Sequence, residues 1–291
     1  MKKALSKHTR NTPFRRFILL TTLLGGWSLV CHAAVIINFD FDGDGASDGD
    51  SLTSTANSGT LGGSATGNHP APDTNTSPQY ETSANGSLGA MTIGGGTTFK
   101  GNISYAKGVT TTNTDFTVAF ALRRDGEQSQ FNRITDMPEM GISLSWVGGS
   151  SPTPGNDQIR LNYGNAGGGV VPDSGSIADG VWSHVAFTYN YNTGSPILQL
   201  YLNGELVGSD NNGIPVKDLG AAQSIYLLSR SNPDRTISGA IDNFQIHDSV
   251  LNMVQINELG VQSGAIIPEP GSLSLLLIGF TLIIAFRKKF F

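Results

Sequence analysis

Acidic side chains recur at nearly alternate positions in one short stretch of the chain: Asp40, Asp42, Asp44 and Asp48. Calcium takes about six to eight oxygen ligands, and alternating carboxylates followed by a glycine, in this case Gly45, can supply part of such a set. A helix-flanked calcium loop also needs a glutamate at its twelfth position, where this chain has Ser51, and Val35 to Phe39 predict a strand in front of the loop. Two interpretations remain open: a structural calcium site or a solvated acidic turn.

Histidine offers the other route to chemistry, as a general base or as a metal ligand. His184 shares the face of a predicted strand with Trp182, but no nucleophile and no second histidine lies in a motif with it. We therefore interpret His184 as a packing residue. His69 and His247 are isolated in polar contexts, and the chain has no Gly-x-Ser-x-Gly elbow and no Walker-type loop.

Short alternating segments must position these residues. Apolar and small or polar residues alternate with a period of two, which predicts half-buried strands, in the intervals 116–124, 142–146, 159–163, 181–189, 198–202, 205–207, 225–228 and 237–246. Asn203-Gly204 between two such runs is a strong signal for a tight hairpin. Only residues 250–259 predict a helix, with Ser249 as its N-cap and Gly260 just past its end.

The interval 51–89 is rich in Ser, Thr, Asn, Gly and Pro, and its composition predicts a low-complexity region of long loops. Many short strands, glycine-rich turns and one short helix predict an all-β fold, a two-sheet antiparallel β-sandwich or jelly roll. We expect one domain over residues 34–264, since sandwiches of this length are commonly single domains.

The N-terminal segment predicts export. Six Lys and Arg residues precede an apolar run over residues 17–30, and Cys31-His32-Ala33 then places a small residue before a cleavage point ahead of Ala34. This order is typical of a secretory signal peptide, residues 1–33, removed by signal peptidase. Its apolar helix is too short to span a bilayer comfortably. Cys31 leaves with it, so the remaining domain has no thiol and no disulfide.

The C-terminal segment, residues 265–291, contains a second apolar stretch. Pro268-Glu269-Pro270 precedes residues 271–286, a predicted transmembrane helix of about 24 Å, and Arg287-Lys288-Lys289 marks its cytoplasmic side. A plain membrane anchor explains the apolar run and the charges but not the Pro-Glu-Pro. With all three features in this order, the tail resembles a PEP-CTERM sorting signal. The resemblance implies processing by an exosortase in a Gram-negative-type envelope, after transient anchoring in the inner membrane.

Charge excludes one class of partner. Between the two terminal segments the chain has nine Lys and Arg against 22 Asp and Glu, a formal charge of −13. A nucleic-acid or anionic-lipid ligand requires a basic patch, and the sequence shows none.

Several strands resemble the laminin G-like, concanavalin A-like jelly-roll family, in the family's order. The motifs are the early strand at 116–124, Trp-x-His-Val-Ala at 182–186, the Asn-Gly hairpin at 200–204, Gly-x-Ile-Asp-Asn at 239–243 and the terminal helix at 251–259. In this family the aspartate of Ile-Asp commonly helps to hold a structural calcium against the N-terminal segment. The resemblance therefore implies that Asp242 pairs with Asp42 at a metal site, with Asp40 and Asp44 nearby.

The same family includes lectins, adhesion modules and hydrolases, so the fold leaves the function open. Its glucanases carry a Glu-x-Asp-x-Glu strand, which is absent from the glutamates of the central region: Glu81, Glu127, Glu139, Glu205 and Glu258. We therefore predict no catalytic residues, and an exported surface or extracellular-matrix protein whose sandwich binds polysaccharide or protein. The alternatives are an extracellular polysaccharide hydrolase of the same fold and a purely structural coat component.

Overall fold

The computed structural model describes residues 33–42, 46–68, 78–82, 88–92, 102–108, 115–126, 132–147, 158–163, 176–190, 197–211, 222–230 and 236–265. The chain divides into two compact units, residues 1–32 and 33–291, and the first lies outside the described residues. No helix in the described ranges is long and apolar enough to cross a membrane. The predicted apolar segments at 17–30 and 271–286, and the Pro-Glu-Pro and Arg-Lys-Lys motifs, also fall outside those ranges.

The described ranges contain fifteen strands and one helix: β1 (Val35–Phe39), β2 (Ser54–Ala56), β3 (Ser64–Asn68), β4 (Gln79–Thr82), β5 (Leu88–Thr92), β6 (Asn102–Gly108), β7 (Phe116–Arg124), β8 (Arg133–Met137), β9 (Ile142–Val147), β10 (Gln158–Tyr163), β11 (Trp182–Asn190), β12 (Ile197–Leu202), β13 (Glu205–Asp210), β14 (Ala222–Leu227), β15 (Gly239–His247) and α1 (Met253–Gln262).

The strands form two antiparallel sheets, which confirms the predicted sandwich. The first sheet has the order β13-β12-β11-β7-β15-β5-β4, and β1 also pairs with β15. The second sheet has the order β10-β9-β8-β14-β6-β3-β2. The first strand and the last strand are therefore neighbours, with Phe39 opposite Phe244.

One continuous apolar core contains side chains from both sheets. Three aromatic rings link its centre: Phe39 stacks on Phe244 at 6.1 Å between ring centres, and Phe244 stacks on Phe120 at 5.7 Å. Such pairs stabilise a core beyond the area they bury. Because Phe39 and Phe244 sit on paired strands, this contact also holds β1 in register.

The outer face of the first sheet is covered as well. A smaller apolar cluster of Ala119, Ala186, Tyr201, Leu251 and Ile256 lies where α1 packs on β7 and β11. The predicted half-burial of β7 is therefore wrong, because its outward residues are as buried as its inward ones. The small outward residues of the strand, such as Ala119, allow a helix to approach, and they were the sequence signal for this cover.

Helix α1 begins later than its sequence predicts. Asn252, not Ser249, is the N-cap: its side chain accepts hydrogen bonds from Val254 N (2.9 Å) and Gln255 N (3.1 Å), and the Gln255 side chain completes a capping box. Gly260 is buried inside the helix and not beyond its end. Both asparagine and serine cap helices well, so local sequence did not separate the two positions.

The predicted loop region at 51–89 contains strands β2, β3 and β4 and the start of β5. Their partners are partly distant in sequence, since β3 pairs with β6. Val181, expected within a strand, is 51 % exposed just before β11. In contrast, the Asn203-Gly204 hairpin is confirmed: both residues have positive φ, at 50° and 81°, as a two-residue primed turn requires.

Candidate functional site

An open groove of about 880 Å³ lies beside the end of β1 and the β2–β3 hairpin. We call it the hydroxyl groove, because most of its lining side chains carry a hydroxyl. Its lining consists of Asp40, Asp42, Ala46, Asp50, Ser51, Thr53, Ser54, Thr55, Ala56, Ser58, Ser64 and Tyr80. No lysine or arginine is among these described lining residues, so the groove suits a neutral, hydrogen-bonding ligand better than an anion.

Backbone hydrogen bonds fix the walls of the hydroxyl groove. The turn that carries Asp50 is bound to β4 through Gly49 N to Tyr80 O (2.9 Å) and Tyr80 N to Asp50 O (2.9 Å). The Tyr80 hydroxyl donates to the carbonyl of Ser54 at 3.1 Å, which joins β4 to the edge strand β2. Five of the twelve lining residues thus lie on the strands β2, β3 and β4, and the other seven lie in the turns next to them.

The predicted metal ligands are only partly brought together. Asp40 and Asp42 line the hydroxyl groove, while Asp44 lies outside the described residues. Asp242 is fully buried in β15. Within the described ranges, no group of three or more His, Cys, Asp or Glu side chains is placed to hold a metal ion.

Asp242 receives hydrogen bonds from its own neighbour. Its two carboxylate oxygens accept from Asn243 N and from Asn243 Nδ2, each at 2.7 Å. Asn243 has φ of 50°, and the β15–β7 register shifts at this point, so a bulge turns the asparagine back onto the carboxylate. The carboxylate that the family resemblance assigned to a metal site therefore already accepts hydrogen bonds from the chain.

Asp242 lies near a second group of charged and aromatic residues on the outer face of the first sheet. We call Glu81, Arg123, Asp125, Trp182 and Asp242 the outer-face cluster. A Cβ atom placed on Gly89 would lie 3.2 Å from Asp242 Cβ and 3.6 Å from Trp182 Cη2. Gly89 therefore lets the indole approach the sheet beside the buried aspartate.

Arg123 holds the outer-face cluster together. Its guanidinium donates to both oxygens of Asp125, from Nε and from Nη2, each at 2.7 Å, and it forms an ion pair with Glu81. Its Cζ atom lies 5.5 Å from the centre of the Trp182 ring. The hydrogen bonds to Asp125 contribute most to raising the Arg123 pKa above its usual value. Both carboxylates are thus engaged in an ion-pair network, which does not suit them to acid–base catalysis.

His184 lies between the first sheet and α1, with 1 % of its surface exposed. Burial lowers its pKa to about 4. Beside it is a small cavity of about 30 Å³, lined also by Asn243, Gln245, Gln262 and Ser263. The Ser263 hydroxyl donates to the Gly260 carbonyl at 2.9 Å. The site is large enough for a water molecule but not for a substrate.

The hydroxyl groove and the outer-face cluster were not predicted. The groove depends on strands within a Ser/Thr-rich interval, and the cluster joins residues up to 161 positions apart, from Glu81 to Asp242. The local signals were the acidic stretch with Asp40 and Asp42, an alternating Thr53, Thr55 pair, and a charged Arg123-Arg124-Asp125 run at the end of an apolar strand.

The architecture defines a class: an antiparallel β-sandwich with a terminal helix on one face. Residues 97–257, more than half of the chain, match the laminin G-like family model described as concanavalin A-like lectin/glucanases superfamily. The chain belongs to this family.

Solved structures share the architecture at low identity. Domain 4 of AbnA, a GH43 extracellular arabinanase from Geobacillus stearothermophilus, is 18 % identical over 78 % of this chain and 98 % of that chain, with a TM-score of 0.54. The receptor-binding domain of botulinum neurotoxin type G is 14 % identical over 79 % of this chain and 52 % of that chain, with a TM-score of 0.51. At these identities the likeness shows the fold alone.

One curated relative is a probable endopolygalacturonase I from Aspergillus terreus. It is 27 % identical over 128 residues, which cover 40 % of this chain and 32 % of that protein. The match thus spans about a third of the relative's length.

Proposed function

We propose that the sandwich is a non-catalytic module that binds neutral polysaccharide in the hydroxyl groove. The observation that carries the proposal is the composition of the groove wall, with seven hydroxyl side chains and three carboxylates around about 880 Å³ of open space. Carboxylates and hydroxyls accept hydrogen bonds from sugar hydroxyls, and protein hydroxyls also donate them. The volume falls within the range of about 300–1,000 Å³ that is usual for ligand pockets.

Two comparisons support binding rather than a purely structural role. The AbnA domain was solved in complex with arabinotriose, and the neurotoxin domain is a receptor-binding domain. Domains of this fold therefore include ones that bind a saccharide or a receptor. A protein ligand on the same groove and a structural coat role are the alternatives.

The test is binding of the purified full chain in detergent to neutral arabinan, xylan and β-glucan, with polygalacturonate as an anionic comparison, by isothermal calorimetry. Ser64, an exposed residue of the groove wall, is replaced in Ser64→Trp to fill the groove. Ser209→Trp, at an exposed position on β13, is the matched control. We expect saturable binding to a neutral polymer that Ser64→Trp abolishes and Ser209→Trp preserves. Equal binding by both variants would contradict the groove assignment.

Hydrolysis is a second candidate, favoured by the carboxylates Asp40, Asp42 and Asp50 in the same groove. Glycoside hydrolysis generally needs two carboxyl groups flanking the scissile bond. Release of reducing sugar from the same polymers, lost in Asp42→Asn or Asp50→Asn, would replace the binding module with an enzyme. We expect no turnover.

We further propose export and sorting. The basic and apolar N-terminal segment supports removal by signal peptidase, and the Pro-Glu-Pro, helix and Arg-Lys-Lys order supports processing by exosortase. The product would belong to the cell envelope, at its outer surface, or would be extracellular. Intact mass of the protein from its native host should lack residues 1–33 and the tail. Phe291 retained in the extracellular fraction would leave a plain membrane anchor instead.

A structural calcium ion at the end of β1 remains a proposal. Asp40 and Asp42 support it by lining one groove, and Asp242 would join them only by exchanging its Asn243 hydrogen bonds for the metal.

A further inference from the structure

The start of β1 is bound to the turn after β15 by two hydrogen bonds. Ala34 N donates to Asp248 Oδ1 at 2.9 Å, and Asp248 N donates to the Ala34 carbonyl at 3.1 Å. These residues are 214 positions apart in the chain. One aspartate therefore fixes the residue that precedes the first strand.

Ala34 is also the residue that the signal-peptidase prediction makes the first of the mature chain. Hydrolysis of the Ala33–Ala34 bond consumes one water and leaves a carboxylate on Ala33 and an amine on Ala34. An α-amino group has a pKa of about 7.7–8.0, so the new amine takes up a proton and is mostly charged at neutral pH. The nitrogen that faces Asp248 thereby changes from an amide to an ammonium.

We propose that Asp248 is the receptor for the N-terminus created by processing: the α-ammonium of Ala34 pairs with the Asp248 carboxylate and locks β1 onto β15. The inference rests on the proposed export, because it needs the cut before Ala34. Hydrogen bonds between charged partners are shorter and stronger than those between neutral groups. Processing thus strengthens a contact that the fold already makes.

The surroundings favour the charged pair. Ala34 is exposed, so the two remaining N–H groups of the ammonium can be hydrated and no burial cost opposes the charge. The neighbouring His247 has a pKa that is lowered mainly by burial, which favours the neutral ring, while the charge of Asp248 acts to raise it.

Cleavage before Ala34 also removes the small contribution that Ala33 makes to the stability of the fold. Ala33 packs, partly buried, against the apolar cluster under α1, and its backbone interacts with the His247 ring. An alanine methyl group is the smallest apolar side chain, so its loss costs little. The new ion pair forms on Ala34, the residue after the cleaved bond, and therefore acts directly on β1.

The pair has a consequence for the hydroxyl groove. Among the described strands β1 pairs only with β15, and Asp40 follows its last residue, Phe39. A first strand that frays would release both the groove wall and the Phe39–Phe244 contact. Anchoring at Ala34 holds the opposite end of that strand.

The experiment uses the full chain in cut and uncut form. Cell-free synthesis in detergent without signal peptidase gives the precursor, and treatment with purified signal peptidase gives the cut form with the same tail. Asp248→Asn is made in both, since asparagine keeps an oxygen that accepts the Ala34 amide hydrogen but removes the charge. Asp179→Asn is the matched control, because Asp179 accepts the Gly126 N–H at 2.6 Å on another loop.

We expect Asp248→Asn to lower the melting temperature of the cut chain by about 1–4 °C, the range for an exposed ion pair in a domain of this size. In the precursor the same substitution should lower it by less than about 1 °C. The difference should shrink in 1 M salt, where the Debye length is about 3 Å. Asp179→Asn should affect both forms equally.

Two results would overturn the proposal, and they are distinguishable. Equal destabilisation of the cut and uncut forms by Asp248→Asn, with Ala34 confirmed as the first residue, removes the role of Asp248 but leaves export intact. N-terminal sequencing that finds any residue other than Ala34 removes the premise itself.

Discussion

The guanidinium carbon of Arg123 lies 5.5 Å from the centre of the Trp182 indole, while the guanidinium binds Glu81 and Asp125. One cation therefore serves two carboxylates and one aromatic ring on the outer face of the first sheet.

Replacing Arg123 by methionine keeps the aliphatic stem and removes the charge. We expect Arg123→Met to lower the free energy of unfolding by about 2 kcal/mol, because two partly buried carboxylates lose their partner. Arg123→Lys should recover part of this loss, since it restores charge but not the two-pronged contact. Urea denaturation measures both. Glu205→Gln, at an exposed site, is the control and should change the free energy of unfolding by less than about 0.5 kcal/mol. If Arg123→Met also changed it by less than about 0.5 kcal/mol, the role of Arg123 would be contradicted.

Gly89 tests how closely the outer-face cluster packs on the sheet. An added Cβ would lie 3.0 Å from the Ile241 carbonyl oxygen, a backbone atom that cannot rotate away. We expect Gly89→Ala to cost about 1–3 kcal/mol through overpacking, and to alter the near-ultraviolet dichroism of Trp182.

Gly126→Ala is the comparison for that variant. An added Cβ there meets no atom within 4 Å, so only its φ of 72° opposes the change. Gly126→Ala should therefore be destabilising without a change in the tryptophan signal. Indistinguishable spectra for the two variants would mean that Trp182 does not rest against Gly89.

His184 should make the domain sensitive to acid. Burial lowers its pKa to about 4, below the usual value of about 6.5. Between these values the unfolded chain binds a proton that the folded chain does not, so stability is intact above pH 6.5 and falls as the pH drops towards 4. The loss attributable to His184 approaches about 3 kcal/mol below pH 4.

The measurement is urea denaturation from pH 8 to pH 3.5 for the wild type and for His184→Gln. The variant should lose less stability across the acidic interval and show the same slope as the wild type above pH 7. Profiles that run parallel throughout would show that His184 is protonated in the folded state as readily as in the unfolded one.

The effect of calcium on thermal stability distinguishes the roles of Asp42 and Asp242. If a cation binds at the end of β1, adding calcium in place of chelator should raise the melting temperature by roughly 5 °C or more when its concentration is about a hundred times the Kd. Asp42→Asn should abolish the shift. Asp242→Asn should be destabilising in chelator as well, because the carboxylate accepts two hydrogen bonds from Asn243.

An unchanged wild-type melting temperature would leave the acidic stretch as a solvated turn. A calcium shift that survives Asp42→Asn would place the metal elsewhere.

Local signals were sufficient where neighbouring residues determine the structure. The strand-forming runs of β7 and β11 and the Asn203-Gly204 turn are properties of consecutive residues, and the fold has a strand or turn at each predicted position, although both strands are buried on both faces. They were insufficient for β2 and β3, which have few apolar side chains and depend on pairing with each other and with β6.

The surroundings of Asp242 and Arg123 also combine features that local sequence predicts with features that it does not. Asp242 was predicted as a metal ligand, but its hydrogen bonds with Asn243 were not predicted, because the bulge that turns Asn243 back depends on the β7 register. A positive φ is tolerated by asparagine more readily than by most residues, so Asp-Asn before an apolar residue was the available hint. Arg123 and Glu81 meet because β7 and β4 belong to one sheet, a relationship that only the complete strand order defines.

The pairing of β1 with β15 determines when, during synthesis of the chain, the first strand can be incorporated into its sheet. Val35 lies opposite His247, so the first strand to leave the ribosome waits for the last one before its ladder can form. Such distant pairing slows folding, and the β1–β15 ladder cannot form until synthesis is nearly complete. If the chain is exported as proposed, a first strand that cannot pair early would help to keep the chain extended for translocation. The same delay leaves β1 unpaired and exposed to aggregation until β15 is synthesised.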